Sequence, residues 1–233
     1  ASQAILLGDA DAAVAGGAEV MSRGPYHMPS ARWGARMGDG KIVDMMVGAL
    51  HDPFHTIHMG VTAENVAKKW GITRDEQDAL AVESHRRAAA AIAEGRFRSQ
   101  TLGIELKTRK GVTVFDTDEH VRADATLENM AKLKPVFAKE NGTVTAGNAS
   151  GINDGAAALV LMEAKAAQAR GLKPMARLVG YAHAGVDPEY MGIGPVPASR
   201  KALEKAGLKA SDMDVIEANE AFAAQALAVT KDL

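Results

Sequence analysis

Apolar and polar positions follow three different rhythms along this chain. Ser2 to Leu7 reads as the closing turns of a helix halted by Gly8-Asp9. Ala12-Ala-Val-Ala-Gly-Gly17 is a short apolar run ending in paired glycines, which predicts a buried strand running into a loop. Such an opening, inside a helix and straight into a strand, predicts further chain ahead of Ala1. Residues 22 to 58 then hold no lasting period. They carry Gly24-Pro25, Met28-Pro29, Gly34, Gly38, Gly40, Tyr26, Trp33 and four of the seven histidines, His27, His51, His55 and His58. A stretch that long exceeds a simple connection and reads as an inserted loop domain.

Helical spacing returns at Thr62, where Ala63, Val66, Ala67 and Trp70 form one apolar stripe. Thr73-Arg-Asp-Glu76 has capping-box spacing and opens a helix that runs through Leu80, Val82 and the alanines 88 to 91 to Gly95. Ile104 to Phe115 suits two strands joined at Lys110-Gly111, and residues 116 to 141 look irregular or briefly helical. From Asp154 the rhythm is strand then helix. Ala156 to Met162 is an apolar run, Ala164 to Arg170 is helical with Gly171 as its stop, and Met175 to Tyr181 is strand-like. Ser199 to Ala206 is helical and closed by Gly207, Val215-Ile216 is a short buried strand, and an Ala-rich helix starts at Glu220. That alternation predicts α/β layering. No capping signal precedes the last residue, Leu233, so further chain is expected there too.

Composition narrows the picture. The 233 residues can bury one large core or two modest ones. Aromatics are only 4%, so elements must pack through Ala, Val, Leu, Ile and the eleven Met, which favours layered α/β structure over a small barrel. A net charge of −2 gives no general reason to expect nucleic acid. No apolar run is long enough for a bilayer, and the first residues lack the features of a signal peptide, so the expected compartment is cytoplasmic. With no cysteine, disulfides and Cys-ligated zinc are excluded within the chain. His51, His55 and His58 have a spacing compatible with a shared metal, but Pro53 interrupts a helix through His51 and His55 and no second ligand cluster stands out, so no metal is expected.

Five segments carry a resemblance. They are Ala15-Gly-Gly-Ala-Glu-Val-Met-Ser22, His58-Met-Gly-Val-Thr-Ala-Glu-Asn-Val66, Gly142 to Gly155, Gly192-Ile-Gly-Pro-Val-Pro-Ala198 and Glu217-Ala-Asn-Glu-Ala-Phe222. In this order and spacing the chain resembles the thiolase family throughout, with His58-Met59 before Gly60 resembling its short-chain biosynthetic branch, the acetyl-CoA acetyltransferases. The resemblance implies a layered αβαβα fold of two similar halves. Residues 1–20 and 152–172 would belong to the first half, 21–151 would form a loop domain for coenzyme A binding and tetramer contacts, and 173–233 would begin the second half. It implies reversible condensation of two acetyl-CoA to acetoacetyl-CoA, with coenzyme A thioesters as substrates and no cofactor. Members work through a nucleophilic cysteine, a histidine and a second cysteine, none of which matches a position here. The chain is therefore expected to be the central piece of a longer enzyme and inactive alone. A non-catalytic thiolase-like subunit that binds coenzyme A or serves assembly is the alternative.

Residue by residue, the resemblance implies that Asn219 holds a water in an oxyanion hole, since pre-oriented donors stabilise charge developing on a thioester oxygen. Position alone also allows Asn219 to cap the helix starting at Glu220, and the two roles are compatible. Ser150, between small neighbours, would bond the pantetheine arm, with Ala146, Ala221 and Phe222 lining the same channel; a tight turn is the plainer reading of its surroundings. His58 and Met59 would border the pantetheine, and Met59 and Met191 would limit acyl length, although a Met beside a helix start also serves as core filler. Arg122 would meet the phosphate end of coenzyme A. Phe137 and Leu50 would contact adenine and pantetheine.

Overall fold

The computed structural model describes residues 1–233. Helix α1 (Ser2–Leu6) leads into strand β1 (Ala12–Val20), and residues 21–58 hold only short pieces: β2 (Tyr26–His27), β3 (Val43–Asp44) and α2 (Met45–Ala49). Two long helices follow, α3 (Met59–Trp70) and α4 (Arg74–Ala93), then a hairpin of β4 (Ile104–Thr108) and β5 (Gly111–Phe115) and the short α5 (Leu127–Ala131). Strand β6 (Asp154–Met162), α6 (Ala164–Ala169), α7 (Pro195–Ala206) and α8 (Ala223–Asp232) complete the order. No helix is long and apolar enough to cross a membrane.

The core forms where the α3 stripe meets α8. Ala63, Val66 and Ala67 are buried against Ile72, Val144, Ala224 and Ala228, with Trp70, Tyr190, Phe137 and Phe222 packed around them. Small side chains on both helices let the backbones approach closely. Trp70 donates its indole N–H to Asp232 at 3.1 Å, and Lys69 Nζ lies 3.9 Å from the Tyr190 ring centroid. The capping box is complete: Glu76 N–H donates to Thr73 Oγ1 at 3.2 Å, and Thr73 N–H donates to Glu76 Oε2 at 2.7 Å.

Strands β1 and β6 pair antiparallel from Ala12 opposite Met162 to Val20 opposite Asp154. At the far end Asp154 accepts from both the N–H and the hydroxyl of Ser22, at 2.9 and 2.6 Å. The strands stand where the sequence predicts them, but they are not buried: Val14 and Val160 are each 75% exposed. The pair has no third strand and no covering layer within this chain.

Other expectations need correction. Met175 to Tyr181 and Val215-Ile216 form no strand and are exposed, because a strand exists only in a ladder and neither run has a partner here. Helix α3 begins at Met59 rather than Thr62, and α7 at Pro195 rather than Ser199. Helix α8 begins at Ala223 with Phe222 at its N-cap, so Asn219 does not cap it.

Candidate functional site

Apart from Arg122, the expected site residues come from four segments around the core helices α3 and α8. His58 is the N-cap of α3, where its Nδ1 accepts the Gly60 N–H at 3.0 Å. Its ring stacks on Phe137 with centroids 4.7 Å apart and meets His51 edge-on at 5.1 Å. Phe137 in turn meets Phe222 edge-on at 6.5 Å. Gly60 makes this stack possible: a Cβ there would stand 2.2 Å from the Phe137 ring. Burial, and then His51, hold the His58 imidazole below its usual range. Met59 is half-buried and donates its N–H to Leu50 O at 2.8 Å, which ties the end of α2 to the start of α3. Leu50 also lines a separate hollow of about 170 Å³ with Met21, Met45 and Met46, one that includes neither Ser150 nor Asn219.

The loop from Thr143 to Ser150 is fixed from several directions. Glu64 of α3 accepts the Thr143 N–H and hydroxyl and the Val144 N–H, all within 3.0 Å. Asn148, 3% exposed, spends its whole side-chain amide: Oδ1 accepts the Thr145 N–H at 2.8 Å, and Nδ2 donates to Asp78 at 2.9 Å and Thr143 O at 3.0 Å. At Gly147 the loop closes so tightly on Met130 that a Cβ would stand 2.4 Å from its sulfur. The far end of the loop lies beside the segment before α8. Ser150 N–H donates to Ala221 O at 2.9 Å, and Ala149 bridges Phe222.

Ser150, Ala221, Phe222, Phe137 and His58 thus stand in one connected neighbourhood. Ala146 and Ser150 are exposed on the loop. Asn219 is exposed three residues before the bridge, in a segment that Ser84 anchors by donating to Glu220 at 2.5 Å. Met191 lies half-exposed on the turn Pro188–Ile193, which packs on α3 and is tied to it by Asn65 Nδ2 bonding Glu189 O at 3.1 Å. Arg122 stands apart from the aromatic cluster. Its N–H donates to His85 Nδ1 at 3.2 Å and its guanidinium is exposed. His85 is held below its ordinary range by burial, with His120 and Arg122 adding to the effect. The sequence reading missed Glu64, Asp78 and Asn148. Glu64 and Asn148 lie inside the motifs, but partners 70 to 80 positions away leave no local spacing signal.

A family model described as the thiolase N-terminal domain matches residues 1–165, and one described as the thiolase C-terminal domain matches residues 172–233. Beta-ketothiolase BktB of Cupriavidus necator is 70% identical over 233 residues, all of this chain and 59% of that protein. Acetyl-CoA acetyltransferase of Syntrophomonas wolfei is 56% identical over 236 aligned residues, again 100% of this chain and 59% of that protein. Among solved structures, Bacillus anthracis acetyl-CoA acetyltransferase superposes with a TM-score of 0.93 at 52% identity, covering 98% of this chain and 58% of that one. Human mitochondrial 3-ketoacyl-CoA thiolase superposes with a TM-score of 0.94 at 46% identity over 98% of this chain and 58% of its own. The chain therefore spans about three fifths of the length of the relatives it matches. Motifs, fold and matches across both halves agree: the chain is an α/β protein of the thiolase family.

Proposed function

We propose that this chain is the central part of an acetyl-CoA C-acetyltransferase that condenses two acetyl-CoA to acetoacetyl-CoA and coenzyme A, reversibly. The observation that carries the reading is the register of Ser150 against Ala221, which joins the proposed pantetheine contact to the segment bearing Asn219. In the reaction, a cysteine thiolate supplied by the rest of the protein attacks the thioester of the first acetyl-CoA and expels coenzyme A. A second cysteine takes a proton from the methyl group of the next acetyl-CoA, whose carbanion forms the new carbon–carbon bond as the first thiolate leaves. Asn219 would orient a water toward a thioester oxygen as charge develops there. Ser150, His58, Ala146, Ala221 and Phe222 would line the pantetheine path, Phe137 and Leu50 would contact adenine and pantetheine, Arg122 would meet the phosphate end of coenzyme A, and Met59 and Met191 would face the acyl end. The names of the relatives, which include acetyl-CoA acetyltransferase, support this reaction class. We also expect a cytoplasmic homotetramer assembled through the loop region.

Surface area supports the view that more protein covers this chain. Its accessible surface is 17572 Å², against roughly 10,000 Å² for a folded monomer of its mass. A second reading, a coenzyme A-binding or assembly subunit without its own nucleophile, is favoured by one observation, the absence of cysteine from the 233 residues. Intact mass and terminal sequencing of the protein from its natural source, with an assay of acetoacetyl-CoA thiolysis, separate the two. A mass well above 24.4 kDa with thiolysis is expected. A mass of 24.4 kDa without activity would overturn the enzyme reading and leave the second.

A further inference from the structure

We propose that Asn148 is a positioning residue that sets the Ser150 loop against the Asn219 segment, and that Asp78 and Arg74 hold it in place. The inference rests on the acetyltransferase reading for its consequence in catalysis, but the register itself is a property of this chain.

Helix α8 begins at Ala223, and its N-cap, Phe222, has no side-chain group to make a capping bond. The first turn of a helix leaves its N–H groups without partners inside the helix. Here the Ala223 N–H donates at 2.9 Å to the main-chain oxygen of Asn148, 75 positions earlier. The next contact along, Ser150 N–H to Ala221 O, runs in the opposite sense. These two backbone bonds, which together make the Ala149–Phe222 bridge, therefore decide how Ser150 faces the chain that leads back to Asn219.

The direction of the Asn148 carbonyl is in turn fixed by its side chain. Asn148 bonds Asp78 of α4, and Asp78 accepts from Arg74 Nε at 2.7 Å one turn earlier on that helix. Arg74 Nη2 reaches the main-chain oxygens of Met130, in the last turn of α5, and Leu133, just after it, at 2.5 and 3.1 Å. The chain of bonds thus crosses α4, α5, the loop and the start of α8, and Asp78 and Asn148 are both nearly fully buried. Opposite a carboxylate at position 78, a neutral side chain that both donates and accepts is needed at Asn148. Aspartate would set a carboxylate beside Asp78 and lose both donors, while alanine would leave the Thr145 N–H and an oxygen of Asp78 short of partners. Small misplacements of binding groups relative to the reacting centre cost rate by up to about a hundredfold.

The test uses the full-length protein and four forms: unmodified, Asn148→Ala, Asn148→Asp, and the exchange Asp78→Asn with Asn148→Asp. Acetoacetyl-CoA thiolysis gives kcat and KM, and amide hydrogen exchange follows Ser150 and Ala223. We expect kcat to fall about 10- to 100-fold in both single variants, with KM changed far less. Ser150 and Ala223 should exchange faster while the α3 core amides stay protected. The exchanged pair restores one donor and one acceptor across the same gap, so it should recover most of the lost kcat even where Asn148→Ala folds poorly. Unchanged kcat per folded molecule with a lowered Tm, or an exchanged pair no better than Asn148→Asp, would overturn the proposal. An unmodified protein that folds but shows no thiolysis would sink the acetyltransferase reading instead, and amide exchange would still decide whether Asn148 sets the register.

Discussion

His58 accepts a hydrogen bond through Nδ1, and only the neutral ring can do so. Burial and the neighbouring His51 push its titration down from an ordinary 6.5, so the folded state binds its proton less readily than the unfolded one. The sign follows: the stabilisation is present above 6.5 and is lost as pH falls from there through the folded value. Proton NMR of the imidazole should give a His58 midpoint under 6.5. A midpoint at or above 6.5 would mean that the ring is charged beside His51 and that the Gly60 cap is wrong. At this scale the sequence marks out candidate residues and is silent about how they are held. His58, Ser150 and Phe222 stood out in their motifs, whereas the bonds that fix them come from Glu64, Asp78 and Asn148 across long separations.

Among the elements, α4 shows what local chemistry can specify. Thr73 and Glu76 satisfy each other's free backbone donors, which the spacing alone predicts. Replacing Thr73 by Ala should cost about 1 kcal/mol of stability, read from the urea midpoint of the full-length protein, with little change in the slope. An unchanged midpoint would mean that tertiary contacts alone hold the start of α4. The apolar stripe of α3 was equally legible, and Ala63, Val66 and Ala67 are buried as their period requires. The runs at Met175 and Val215 were not, because hydrophobicity announces a need for burial without saying which neighbour supplies it. Their residues are exposed in this chain, as are those of the β1–β6 pair. The start of α8 was misread for a related reason. Asn219 is a favoured capping type, but a carbonyl from Asn148 takes that duty at Ala223.

For the whole molecule, surface decides behaviour. Only 22 of 233 residues are buried, and large apolar side chains such as Leu159, Val160 and Trp33 face solvent. The isolated 233-residue chain should bind a hydrophobic dye such as ANS strongly, associate with itself in size-exclusion chromatography, and show no thiolysis of acetoacetyl-CoA. A monomeric chain with dye binding no greater than that of a compact protein of equal mass would contradict this expectation. Extra covering surface of the order of 7,000 Å² exceeds what even a large obligate interface supplies. Under the proposed function, that area would face the remainder of the longer enzyme.

The pairing of β1 with β6 also has a consequence in time. Val20 meets Asp154 and Ala12 meets Met162, so on the ribosome β1 emerges long before its mate. At ordinary synthesis rates of 5–20 residues per second the wait is roughly 7–30 s, far longer than a helical pair such as α3 and α4 needs to form. During that interval β1 is an apolar strand with two open edges, able to pair with a neighbouring nascent chain. Gly16 and Gly17, in the middle of the strand, weaken any such premature ladder. The glycine pair thus leaves the lone strand a poorer partner for other chains until β6 has been made and lies alongside.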